Sequence, residues 1–363
     1  MTTLLKKVAE DKPDIQYVTL DHPRIRELAK TDPELFLQQY SAPELLPFIK
    51  IKVDEQRISG QYYLTGSQMF NMMNNVSESL AGRVGILSMY SMSRAEIEGR
   101  NSVPFNPSTI RNTTSDDIIS DIFDKILRGG MPQIISDPGL SLEDYFGSYM
   151  QTYIERDIRD LVNIKNESKF TKFISCVAAR TSQEVNLSDL AKDVDIDRKT
   201  ADSWLSILVT SGIVVLLNPY FGNTIKRIVK RPKLYFMDTG LACYLSMWNN
   251  ARALELSAMA GAMFENYVIS EVYKSYANNG VEPRSRMTYY RDNGKEIDLM
   301  IIENGRIYPV EIKMNADPGK NALKNFSVLD SLQEEIADGA VLCMSSSVIP
   351  MDARNRLIPI KAI

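Results

Sequence analysis

The sequence predicts an α/β protein of several domains, and three observations carry that prediction. Helix and strand patterns alternate over the first hundred or so residues. Three short helical patterns and a hairpin occupy residues 168–235, and helix–strand alternation returns after residue 258. The length of 363 residues fits two or three domains. Apolar residues at 44% and charged residues at 24% give an ordinary globular balance, which excludes disordered and collagen-like chains.

In the N-terminal part, Thr2 to Glu10 reads as a short amphipathic helix and Ile15 to Leu20 as a strand. Pro23 and Pro33 open helices, where a missing N–H costs nothing. Tyr62–Thr65 and Val84–Leu87 read as two further strands, so a parallel α/β layer is expected. Residues 93–160 read as mostly helical, with a loop at 101–114 and a break at Gly129-Gly130-Met131-Pro132. Tyr149 to Val162 carries Glu155/Arg159 and Arg156/Asp160 at i,i+4, the spacing of a salt-bridged solvated helix face.

The next segment reads as one compact unit. Phe170, Phe173, Ile174 and Val177 form a helical stripe, and Leu187 to Val194 forms a second short helix. Asp197 can cap a third helix, whose apolar positions are Ala201, Trp204, Leu205 and Leu208. A strand from Ile213 to Leu217, a turn at Asn218-Pro219 and a return over 225–236 complete the winged-helix pattern. That return holds the chain's basic concentration: Lys226, Arg227, Lys230, Arg231 and Lys233. Phosphate contact and a charge-protected edge strand both account for it. The third helix would present Arg198 and Lys199 to a nucleic acid.

In the C-terminal part a long helix runs from Met259 to Tyr276 and puts the carboxylate of Glu265 inside its apolar arc. Strands follow at 287–291, 297–302 and 307–314. Taking Asn304-Gly305 as a two-residue turn sets Asp298 opposite Glu311 and Glu296 opposite Lys313. Alternation then gathers Glu296, Asp298, Glu311 and Lys313 on one face, with Ile297, Leu299, Val310 and Ile312 on the other. Directly opposed residues have Cβ atoms ~5 Å apart, so two carboxylates there need a neutralising partner. A Mg²⁺ ion on Asp298 and Glu311 is one such partner. Lys313 would serve the water or the phosphate, and Glu265 would be a further ligand or hydrogen-bond partner. A Glu296–Lys313 pair on a solvated hairpin is the plainer alternative.

Several function classes are excluded at this stage. The longest aliphatic run, Ile213 to Leu217, is far short of the ~20 residues of a membrane-spanning helix. No secretory signal pattern opens the chain. Three scattered cysteines fit a reducing cytosol and exclude a CxxC zinc site. His22 is the only histidine and sits in a turn before a helix, so catalysis must rest on carboxylates, lysines, hydroxyls or metal. The net charge of −4 gives no whole-molecule attraction to nucleic acid, so any such contact is local.

The strings YFGSYMQTYIERDIRDL, RPKLYFMDTGLACYL, GAMFENYVISEVY, KEIDLMI and YPVEIK occur in this order in the C-terminal half. The N-terminal half has VTLDHPRIRELAKTDPELFLQQY, YYLTGSQMF, SESLAGRVGIL and SRAEI. Together they resemble the prokaryotic AAA-type ATPases that carry a C-terminal domain of unknown function. In that family a winged helix precedes a fold similar to PD-(D/E)XK nucleases. The resemblance implies an AAA-like α/β remnant over 1–97, a helical lid or linker over 98–164, a winged helix over 165–236 and a nuclease-like α/β domain over 237–363. It also implies DNA as partner, a cytoplasmic location and room for an oligomer. The D–ExK pattern of the nucleases falls on Asp298, Glu311 and Lys313.

The departures from the family bear on ATP. Its phosphate loop ends in GKTTLL, whereas this sequence opens Met1-Thr2-Thr3-Leu4-Leu5 and contains no GxxxxGK[ST]. Its acidic strand is also missing, because Gln39-Tyr40-Ser41 runs straight into Ala42-Pro43-Glu44. Ser67 and Gln68 remain as a sensor-like loop and Arg83 as a candidate arginine finger. ATP, the family's expected cofactor, is therefore not expected for this chain, and the remnant is expected to be rearranged, poorly packed or completed by a partner.

Overall fold

The computed structural model describes residues 2–12, 17–19, 22–31, 46–65, 80–155, 167–220, 231–292 and 294–363. It is a mixed helix-and-sheet structure that divides into two compact units, Met1–Leu87 and Ser88–Ile363.

The described part of the first unit contains helices α1 (Thr2–Glu10), α2 (Pro23–Thr31) and α3 (Leu46–Gln56) and no strand. Part of the expected strand 15–20 lies outside the described residues, and the other two expected strands are not formed among them. Residues 17–19, 62–65 and 84–87 form no ladder. A strand exists only through the neighbour that takes its N–H and C=O groups, and local propensity cannot supply that neighbour. The described core is correspondingly small, with Ala29, Leu46, Ile49 and Leu80 buried and Leu87 79% exposed.

The second unit begins with α4 (Arg94–Ile97), which is closed by a capping box between Ser93 and Glu96. Helices α5 (Ile119–Arg128), α6 (Pro132–Ser136) and α7 (Leu142–Tyr149) follow, and the chain then widens into a π-helical turn at Met150–Glu155. The ion pairs expected of Glu155, Arg156, Arg159 and Asp160 lie outside the residues whose side chains are described. The Gly129-Gly130 break is a close approach: a Cβ on Gly130 would lie 2.2 Å from the Met92 carbonyl oxygen.

Three helices and a hairpin come next. Helix α8 (Glu167–Ala178) buries Phe170, Phe173, Ile174 and Val177, the stripe read from the sequence. Helix α9 spans Leu187–Val194, and α10 (Arg198–Thr210) is capped by Asp197, whose carboxylate accepts the Thr200 N–H at 2.9 Å. Strands β1 (Val214–Leu217) and β2 (Lys233–Phe236) pair antiparallel. Between them, residues 221–230 lie outside the described set and include Lys226, Arg227 and Lys230.

Short helices α11 (Thr239–Leu245) and α12 (Ala251–Glu255) lead into α13 (Ala260–Ala277). Helix α13 is buried along nearly its whole length, as befits a helix that is apolar on most sides rather than striped. It packs with a sheet ordered β3-β4-β5-β7-β9-β8. The strands are β3 (Met287–Asp292), β4 (Lys295–Glu303), β5 (Arg306–Ile312), β6 (Glu335–Ile336, beside β5), β7 (Gly339–Cys343), β8 (Ile349–Pro350) and β9 (Asn355–Pro359). The first three run antiparallel, while β5, β7 and β9 run parallel. One hydrophobic core runs from Phe105 through the three helices and hairpin to Ile363, so the expected segments 98–164, 165–236 and 237–363 share it.

Candidate functional site: a buried carboxylate–lysine cluster

The turn between β4 and β5 fixes the register of the site. Asn304 and Gly305 both take positive φ, 52° and 76°, as a two-residue hairpin turn requires. Leu299 therefore pairs with Val310 and Glu303 with Arg306. One step further on, the ladder gives way to a side chain: Asp298 Oδ2 accepts the Ile312 N–H at 2.9 Å. On its other edge β5 pairs with β7, Glu311 lying beside Val341, and the Lys313 N–H bonds the Leu342 carbonyl at 2.9 Å.

Two sequence expectations need correction here. First, the register of β4 against β3 shifts between Thr288, which pairs with Met300, and Tyr290, which pairs with Ile297. Asp298 and Leu299 thus share the single partner position Tyr289, a bulge of the kind that re-aims a side chain beside a site. Simple alternation fails across it: Ile297 packs with Met300 and Ile307, whereas Leu299, Val310 and Ile312 join the main core. The cause lies in Tyr289, whose backbone is taken by the segment after β1: its N–H bonds Asn218 O at 3.1 Å and its carbonyl accepts the Tyr220 N–H at 2.6 Å. Second, Glu296 does not pair with Lys313 across the strands. It pairs with Lys233 and with Arg291, the latter at 3.5 Å.

The structure brings Glu265, Asp298, Glu311 and Lys313 into one cluster. Lys313 Nζ lies 2.7 Å from Glu311 Oε1 and 3.8 Å from Asp298 Oδ2. Glu265 Oε1 accepts from Tyr235 at 2.7 Å and from Lys233 at 3.0 Å. Asp298 is 8% exposed and Glu311 5%. Glu311 Oε2 has no hydrogen-bond partner among the described residues, an unusual state for a buried carboxylate oxygen.

Lys233 corrects another expectation. Sequence alone counts it with the basic residues of the hairpin available for phosphate contact, yet it is 3% exposed and faces Glu265 and Glu296. Strand periodicity puts Lys233 and Tyr235 on one side of β2, and both reach Glu265. The β2 backbone is pinned: Asn266, next to Glu265 on α13, accepts the Phe236 N–H at 2.7 Å and donates to the Phe236 carbonyl at 2.9 Å. Lys233, Tyr235 and the Arg291–Glu184 contact are the parts that sequence reasoning missed. A lysine one alternation step from a tyrosine inside the apolar run Leu234–Met237 was the available signal.

Electrostatics follow from burial. Burial raises Glu311 to about 8, the Asp298 charge adding to it and Lys313 opposing. Burial likewise raises Glu265 to about 7, with Asp298 adding and Lys233 and Tyr235 opposing. Asp298 is pushed up by burial against the pull of Lys233 and Lys313. For Lys233, burial works against the charge, but Glu265, Asp298 and Glu296 outweigh it and hold the ammonium above its ordinary value. Among the described residues no three carboxylate, cysteine or histidine side chains converge into a metal-binding group. Any ion here would rest on Asp298 and Glu311, with water or phosphate oxygens completing its shell, which is an ordinary arrangement for Mg²⁺.

Arg198 and Lys199 are exposed at the start of α10, and Arg231 is exposed beside β2. Ser67 and Gln68 fall outside the described residues. Arg83, the candidate finger, is engaged by Asp54 through two bonds of 2.5 and 3.0 Å.

Three family models match the chain: an AAA domain over residues 2–98, a domain of unknown function (DUF8612) over 119–252 and a second domain of unknown function (DUF4143) over 260–363. These matches support an AAA-type ATPase-like family. An uncharacterized protein of Mycobacterium bovis and one of Mycobacterium tuberculosis are each 27% identical over 344 residues, covering 91% of this chain and 71% of the relative. No solved structure gives a significant match. Among the described residues no helix is long and apolar enough to cross a membrane.

Proposed function

We propose that this is a DNA-associated protein whose C-terminal sheet carries a Mg²⁺-dependent phosphodiester-hydrolysing site of the PD-(D/E)XK pattern. The observation that carries the proposal is Glu311: a buried carboxylate oxygen without a partner, beside Asp298 and Lys313. The donor set is all hard oxygen, which fits Mg²⁺ or Mn²⁺ and not a thiolate-seeking metal. Bound there, the ion would neutralise the two carboxylates and polarise a phosphoryl oxygen. Lys313 is the residue that orients the attacking water or offsets charge on the phosphate. Asp298 orders the strand end through Ile312, and Glu265 is held in place by Lys233 and Tyr235. The exposed Arg198, Lys199 and Arg231, with Lys226, Arg227 and Lys230, are the proposed DNA contacts.

ATP turnover is not part of the proposal. These residues contain no phosphate-loop motif, and Arg83 is committed to Asp54. A second reading, a DNA-binding or regulatory protein without chemistry, is favoured by one observation: lysines already pair with each of the clustered carboxylates. The test is cleavage of plasmid and oligonucleotide DNA by the full chain with Mg²⁺ or Mn²⁺. The proposal predicts metal-dependent cleavage that Asp298→Asn and Lys313→Ala each abolish. Cleavage at the wild-type rate by either variant, or none by the wild type, leaves the non-catalytic reading.

A further inference from the structure

We propose that Arg291 is a phosphate contact for duplex DNA, gripping the sugar–phosphate backbone beside the carboxylate cluster. The inference rests on the DNA-associated reading given above and names a residue through which the site meets its substrate. A phosphodiester approaching Glu265, Glu296, Asp298 and Glu311 is repelled unless cations reach out to it. Among the described residues, Lys233, Lys313 and Arg291 pair with these carboxylates. The Lys233 side chain is 3% exposed and cannot meet a ligand from solvent. Lys313 is half-buried and bonded to Glu311 at 2.7 Å. The Arg291 side chain is 49% exposed, and both of its ion-pair contacts are loose. Its Nη1 lies 3.8 Å from Glu184 Oε1 and its Nε 3.5 Å from Glu296 Oε2, beyond the roughly 3.2 Å reach of an N–H···O bond.

Position supports the same role. Arg291 faces Glu296 directly across the β3–β4 ladder, and Glu296 also pairs with Lys233, which donates to Glu265. A continuous chain of contacts thus runs from the surface arginine to the helix α13 side of the cluster. Glu296 precedes Asp298 by two residues on β4, a step of about 7 Å. A guanidinium at this end serves a phosphate next to the one at Asp298 rather than the same one. Glu184 is itself fixed, its Oε1 accepting the Tyr289 hydroxyl at 3.0 Å. The two acids therefore orient the guanidinium without using up its N–H groups, and its planar fork matches two phosphate oxygens at once. The plainer alternative, an arginine that only neutralises Glu184 and Glu296, responds differently to substitution.

Binding of a fluorescein-labelled DNA duplex to the full chain is measured by anisotropy over a range of salt, in EDTA so that nothing is cleaved, with folding checked by circular dichroism. Arg291→Gln is expected to weaken binding about tenfold on any sequence and to lower the slope of log affinity against log salt by about one. Glu184→Gln keeps an acceptor for Tyr289 and is expected to tighten binding about threefold in the wild type but not in the Arg291→Gln background. An unchanged salt slope in a folded Arg291→Gln chain, or an equal gain from Glu184→Gln in both backgrounds, overturns the inference. Should Arg291→Gln fail to fold, Arg291→Lys keeps the charge and loses the fork. It is expected to keep the slope and bind about threefold more weakly, and wild-type affinity would overturn the inference. A wild-type chain that binds through Arg291 but cleaves nothing with Mg²⁺ overturns the hydrolytic reading and supports the contact. Cleavage with binding indifferent to Arg291 does the reverse, and no DNA binding by the wild type overturns both.

Discussion

Asp298 accepts the backbone N–H of Ile312 at 2.9 Å, so the side chain proposed to bind metal also orders the strand end that carries Glu311 and Lys313. Fold and chemistry are therefore coupled at this residue, and the choice of substitution matters. Asp298→Asn keeps an acceptor for Ile312 and removes the charge. It is expected to stay near wild-type stability while losing metal binding and cleavage. Asp298→Ala strands a buried N–H and is expected to cost about 1–3 kcal/mol, measured by denaturant unfolding.

The raised carboxylates predict how stability follows pH. Glu265 at about 7 and Glu311 at about 8 both lie above their ordinary unfolded values. Such groups bind more protons folded than unfolded, so their contribution is full below the unfolded value and lost as pH rises through the folded one. Thermal unfolding without metal should therefore shift down between roughly pH 5 and pH 8. Glu311→Gln should flatten that slope, and Mn²⁺ should restore stability most at the alkaline end, where it displaces fewest protons. A rise in stability over this window would contradict the burial-driven shifts.

Asn266 is fully buried and ties α13 to β2 through both polar groups of Phe236, and it also accepts from the Thr181 hydroxyl in the turn after α8. Asn266→Leu leaves those groups without partners. A loss of roughly 3 kcal/mol is expected, seen as a thermal shift of about 5 °C. Because Glu265 is its neighbour, metal affinity should fall with it.

The other basic residues of this stretch should separate from Lys233. Replacing Lys226, Arg227, Lys230 and Arg231 with Gln is expected to leave folding intact, to weaken DNA binding across all sequences and to flatten its salt dependence. An unchanged salt slope would make this stretch a protected edge. Mg–ATP titrated into the chain is expected to give no micromolar binding, and Arg83→Ala should change only the Asp54 contact.

The sequence disclosed what short-range chemistry determines. Asp197 announced the start of α10, and Asn304-Gly305 set the register that brings Asp298 toward Glu311. What it hid depends on distant partners. The bulge at Asp298 arises because Asn218 and Tyr220 claim the backbone of Tyr289. Lys233 reads as one more basic residue until α13 sets Glu265 against it. Tyr62–Thr65 and Val84–Leu87 have strand-like sequences and form no ladder, since β structure needs a neighbour that local sequence does not provide.

The most direct measurement is a crystal of the full chain soaked in Mn²⁺ and read by anomalous scattering. The account predicts a peak between Asp298 and Glu311, with Lys233 still paired to Glu265. An empty map at this position, with Lys313 still on Glu311, would contradict it and leave a neutralised, non-catalytic cluster.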